Sequence, residues 1–136
     1  MRLLPFQCMA MFFLLVICAC SHANSAGSIC GAKHSPAKFV GKSVVIHGRI
    51  VSDGMHTTVV VPDQCSDEGY AIAPAEKDDD AATIIRQAIM RVGAPGTADK
   101  DISVEMDAAV ILLENGDAGI RITKLHRMVL TYPASK

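Results

Sequence analysis

The sequence predicts a mainly β chain of five strands, with one helix between the third and the fourth. Three observations carry this. The β-branched runs Val44–Val51 and His56–Val61 flank Asp53-Gly54, a dipeptide that favours a two-residue type I′ turn. The runs Ile102–Leu113 and Ala118–Thr131 flank Asn115-Gly116 in the same way. Between these two hairpins, Ala81–Val92 places Ile85, Ala88, Ile89 and Val92 at i, i+3, i+4 and i+7, one apolar helix face.

The amino terminus reads as a leader, residues 1–19. Met1-Arg2 is a short basic start, and Leu3–Ile17 is apolar except for Pro5 and Gln7. That run has the length of a signal-peptide core and falls short of a comfortable membrane span. Ile17-Cys18-Ala19-Cys20 resembles a bacterial lipobox, which implies Cys20 as the lipidated residue. It departs from that pattern at Ile17, where Leu is usual, and at Cys18. Ordinary cleavage after Ala23 or Ala26 is the alternative, since Ser21-His22-Ala23 is small-x-small. Ser21 after the cysteine fits the outer-membrane sorting pattern. These features predict an exported, periplasmic protein tethered to the outer membrane by lipid and not spanning it. The alternative is a soluble periplasmic or secreted form.

Cysteine usage agrees with export. Cys8, Cys18 and Cys20 fall in the leader or at its end, leaving Cys30 and Cys65 as an even pair in an oxidising compartment. One disulfide is expected, worth about 4 kcal/mol in the chain-entropy picture. With no Cys-x-x-Cys or His-x-x-x-His spacing, metal ligation is the lesser alternative, and neither metal nor cofactor is expected. Of 13 basic and 14 acidic residues only Arg2 precedes Cys20, so the exported form carries a net charge of −2. No Lys/Arg run is present, and beyond the leader the aromatics are Phe39, Tyr70 and Tyr132. Nucleic acid needs phosphate neutralisation and stacking, so it is not an expected partner.

Residues 20–40 are expected to be a tether running over the surface, being small and polar with Gly27, Gly31 and Ser35-Pro36. Phe39 and Val40 are expected to plug one end of the core. In the first hairpin, a two-residue turn pairs Ile50 with Thr57, Gly48 with Val59 and Ile46 with Val61. Ile46, Ile50, Val59 and Val61 then share one face, and Val45, His47, Arg49, Val51, His56, Thr58 and Val60 share the other. Pro62–Gly69 is a loop by composition, and Tyr70–Ala73 is a short third strand ended by Pro74. Asp78-Asp79-Asp80 lacks the spacing of a calcium loop and suits the start of the helix, where acids cap free N–H groups. Gly93 and Pro95 end that helix. In the second hairpin the same turn type pairs Ile111 with Ile120, Ala109 with Ile122, Asp107 with Lys124 and Glu105 with His126. Isoleucines and ion pairs then share a face, so either that face passes from buried to exposed or a bulge intervenes. Residues 41–132 form the domain, and 133–136 a tail.

This order resembles the OB-fold, a five-stranded Greek-key barrel with its helix between the third and fourth strands. The resemblance covers about Gly41 to Thr131, and SVVIHGRIV (43–51) looks like the first strand common in such barrels. The chain is broadly similar to small exported bacterial OB-fold-like proteins of the lipoprotein type. The resemblance implies an OB-like closed barrel with Gly48 at the bend of the first strand. It also implies a ligand surface across the second and third strands.

No Gly-x-Ser-x-Gly, His-Glu-x-x-His or phosphate loop is present. The expected function is therefore a non-catalytic binding or accessory module of the cell envelope. The candidate binding residues are His47, Arg49, His56 and Thr58, a mixed apolar and cationic surface. It suits a small anionic ligand or a carboxylate-bearing envelope protein. The alternative is a small hydrolytic enzyme using His47 with His56, or Glu105 with His126, as acid and base.

Overall fold

The computed structural model describes residues 27–74, 80–96 and 100–131. The leader, Cys20 and the 133–136 tail lie outside the described residues. The elements are helix α1 (Pro36–Phe39), β1 (Ser43–Ser52), β2 (Thr58–Pro62), a 3-10 turn (Asp63–Cys65), β3 (Tyr70–Ile72), α2 (Ala81–Val92), β4 (Asp101–Leu112) and β5 (Ala118–Thr131). The strands close a barrel in the order β1-β2-β3-β5-β4, with β4 returning to β1. Every pairing is antiparallel except β3 with β5. With α2 between β3 and β4, this is the OB-like architecture that the sequence predicts.

β1 serves two neighbours. Ser43–Arg49 pairs with β4, and Gly48–Ser52 pairs with β2. Gly48 stands where the two pairings overlap. A Cβ there would lie 2.9 Å from Pro62 Cα and would also strike the Val61 carbonyl, so the crossing strand needs glycine. β4 alternates cleanly. Ile102, Val104, Met106, Ala108 and Val110 are buried, and the residues between them are half-buried. These side chains join Val44, Ile46 and Ile50 of β1, Val60 of β2 and Ile120 of β5 in one core. α2 adds Ile85, Ala88, Ile89 and Val92, the face its spacing predicts. Asp80 caps it by accepting the Thr83 N–H at 3.0 Å, and Gly93 (φ +81°) ends it with its N–H on the Ile89 carbonyl at 2.8 Å.

Both hairpin turns depart from expectation. A type I′ turn needs positive φ at two residues, but among the described residues only glycines have it, so Asp53 and Asn115 do not form one. Asp53 instead turns its carboxylate inward on a five-residue loop, Asp53–Thr57. Its Oδ1 accepts the N–H groups of Met55 (2.9 Å), His56 (2.7 Å) and Thr57 (3.0 Å). The pairing moves three residues along β2, so Ile50 faces Val60, Arg49 faces Val61 and Ser52 faces Thr58. An odd shift turns every β2 side chain over. Val60 and Pro62 are buried, and Val59 and Val61 are not.

At the second hairpin, Gly116 (φ +86°) donates to the Leu113 carbonyl at 2.9 Å, and Leu113 N–H donates to Asp117 O at 2.9 Å. Ile111 therefore faces Gly119, and Val110 faces Ile120. Register shifts at Glu105/Met106 and Asp107/Ala108 settle the conflict noted in the sequence in favour of bulges. Asp107 faces Lys124 as expected, but Glu105 faces Arg127 and not His126.

The segment expected as a surface tether joins the core at Ile29. Gly27 bridges to Val44, and Ile29 and Ala32 are fully buried. The buried Tyr70 hydroxyl holds this segment by sharing its one proton between the Ile29 carbonyl, 2.9 Å away, and the Glu68 carboxylate. Glu68 also accepts the Gly31 N–H at 3.0 Å. Cys30 and Cys65 form the expected disulfide pair, with Cα atoms 5.7 Å apart. Composition suggested a tether because small residues predominate, but two apolar side chains and a disulfide suffice to dock them. Phe39 packs against the core, and Val40 is 45 % exposed.

Candidate ligand-binding groove

A groove of about 390 Å³ crosses the outward faces of β1, β4 and β5. Strand alternation and register build it as a grid. One row runs His47–Glu105–Arg127 across the three strands, and the next runs Arg49–Ser103–Val129. Asp63 closes one end, because it follows Pro62, which sits opposite Gly48. His47 and Arg49 are exposed, and Ser103 and Glu105 are half-buried on the groove floor. Directly opposed side chains on neighbouring strands have Cβ atoms about 5 Å apart, so Glu105 stands between a histidine and an arginine. Among the described residues, Arg49, Arg127, Glu105 and Asp63 are in no ion pair. The groove thus presents two open guanidinium forks and two open carboxylates.

The sequence-predicted binding residues divide. His47 and Arg49 line the groove. His56 lies in the β1–β2 loop, exposed, with Nδ1 3.3 Å from Asp53 Oδ2. Thr58 faces Ser52, its Oγ1 3.0 Å from Ser52 Oγ, on the side of β1 opposite to His47. The three-residue register shift separates these residues, so the expected common face of His47 and Thr58 does not form. The groove lies across β1, β4 and β5, whereas the OB-fold resemblance pointed to β2 and β3.

Neither proposed acid–base pair is assembled. His47 sits mid-strand on the sheet, and His56 sits in the loop. Glu105 opposes Arg127, and His126 reaches Asp107 instead, Nε2 to Oδ2 2.9 Å. A His–carboxylate pair of this kind can carry a proton.

Sequence reasoning missed Asp63, Ser103, Arg127 and Val129. Ser103 and Glu105 alternate with the buried Ile102, Val104 and Met106 of β4, and that was the available signal. Arg127 had none, since the two bulges alone bring it opposite Glu105. The fold and groove define the class: an OB-like barrel with a mixed-charge groove on its β1-β4-β5 face. Comparison of the chain with protein-family models, curated proteins and solved structures finds no match.

Proposed function

We propose that the protein is an exported, non-catalytic binding module whose groove takes the carboxylate of a small ligand between Arg49 and Arg127. The observation that carries this is the pair of guanidinium groups opening onto one groove, neither of them in an ion pair among the described residues. A guanidinium fork matches a carboxylate with two parallel hydrogen bonds, which a point charge does not. The two hairpin loops at the barrel ends, Asp53–Thr57 and Leu113–Asp117, are short, which favours a small ligand over a polymer that must be wrapped. Titration of acetate into the ¹⁵N-labelled full chain should move the resonances of Arg49, Ser103 and Arg127. Arg49→Gln combined with Arg127→Gln should weaken that binding by about tenfold or more. Unchanged affinity in the double variant rejects the site.

Tethering through Cys20 belongs to the same proposal and rests on Ile17-Cys18-Ala19-Cys20. Palmitate labelling in the cell should mark the wild type and not Cys20→Ser. A mature amino terminus at Asn24 or Gly27 rejects the anchor and leaves the groove untouched.

A further inference from the structure

We infer that the groove selects a dipolar ligand, an α-amino carboxylate, over a simple anion. This rests on the carboxylate-binding role proposed for the groove and names the ligand class. The groove has both signs of charge. Arg49 and Arg127 face it, and so do Glu105 and Asp63. A site for a plain anion gains nothing from two carboxylates, because each repels the ligand and costs affinity. A ligand carrying an ammonium beside its carboxylate turns that repulsion into attraction.

Register sets the spacing. Glu105 stands directly opposite Arg127 on the neighbouring strand, so their Cβ atoms are about 5 Å apart. A ligand whose opposite charges are close neighbours, as on two substituents of one carbon, complements that juxtaposition. Arg49 sits diagonally from Glu105, beyond Ser103, and offers a second fork to the same carboxylate. Ser103 supplies a hydroxyl on the floor, although its Oγ also lies 3.2 Å from Asp101 Oδ2. Val129 supplies apolar surface for a short side chain. Binding breaks little, because Glu105 and Arg127 are not joined in an ion pair among the described residues.

The test is a titration of the full chain, followed by ¹⁵N chemical shifts, with four probes: alanine, alanyl-alanine, acetate and ethylammonium. Alanine should bind at least about tenfold more tightly than acetate or ethylammonium, the gain expected from one added charge-assisted hydrogen bond. Glu105→Gln should erase the preference for alanine over acetate, while acetate itself binds as well or better. Arg127→Gln should weaken alanine and acetate alike. Both positions face outward, and unchanged melting temperatures confirm that the variants are folded. Acetate binding as tightly as alanine overturns the dipolar inference and leaves the carboxylate site standing. Ethylammonium or alanyl-alanine binding most tightly also overturns it, the first by reversing the sign and the second by changing the charge spacing. Shifts with none of the four probes overturn both the inference and the groove's proposed role.

Discussion

Tyr70 shows how one polar atom disciplines a core. Its ring is fully buried, and its hydroxyl is satisfied by the Ile29 carbonyl and Glu68. Tyr70→Phe would leave that carbonyl without its donor, so we expect a loss of about 1–3 kcal/mol by chemical denaturation. The Tyr70 hydroxyl, followed by the Gly31 N–H, holds the Glu68 carboxyl below its ordinary value of 4.5 against the opposing effect of burial. Burial, followed by Glu68, pushes the Tyr70 hydroxyl up. The Thr57, His56 and Met55 N–H groups hold Asp53 well below its ordinary 3.8. An acid whose pKa is lowered on folding stabilises above its unfolded value and loses that stabilisation as pH falls toward the folded one. The melting temperature should therefore drop as pH falls below about 4.5, the window set by these two acids. Asp53→Asn keeps an acceptor oxygen for the loop and removes the titration, so its acid slope should be shallower. A slope identical to wild type would show that Asp53 does not contribute.

At the scale of elements, α2 and the amino-terminal segment are the two pieces added to the strands. Ile89 is 6 % exposed in the core, and Arg86 is on the solvent side. Ile89→Ala should cost about 2–5 kcal/mol and Arg86→Ala close to nothing, measured by denaturant unfolding. The amino-terminal segment is held by Ile29 and Ala32 in the core, by the Tyr70–Glu68 clasp and by Cys30–Cys65. Cys65→Ser should lower stability by about 2–5 kcal/mol. Mass spectrometry of the non-reduced protein should find Cys30 and Cys65 joined, and two freely alkylated thiols would contradict the pairing. Hydrogen exchange in the variant should rise at residues 29–34 first, because only the clasp and the Ile29 and Ala32 side chains then hold them.

For the molecule as a whole, closure depends on one strand serving two partners. Gly48 permits the crossing of β2 over β1 and also lines the groove. Gly48→Ala should cost about 1–3 kcal/mol through the added contact with Val61 and Pro62. Because the groove is built on β1, β4 and β5 in register, the same change should shift the backbone resonances of Arg49 and Ser103. A destabilised variant with those resonances in place would mean that the groove is independent of the bend.

The strand count, the helix, its caps and its apolar face were legible because they depend on neighbours within one or two turns of chain. Asp80 caps Thr83, four residues at helical spacing meet the core, and β-branched runs mark the strands. The pairing of Cys30 with Cys65 was legible by arithmetic, since two thiols remained. Register was not legible. Asp53-Gly54 and Asn115-Gly116 are consistent with several loop lengths, and the choice depends on which β2 side chains fill the barrel and on where Asp53 finds three N–H groups. A shift of three residues moved Thr58 away from His47, and two bulges brought Arg127 opposite Glu105. The groove is made of such cross-strand neighbours, contributed by residues far apart in the chain. Its membership follows from how the barrel closes, and closure is a property of the packed core that no local pattern contains.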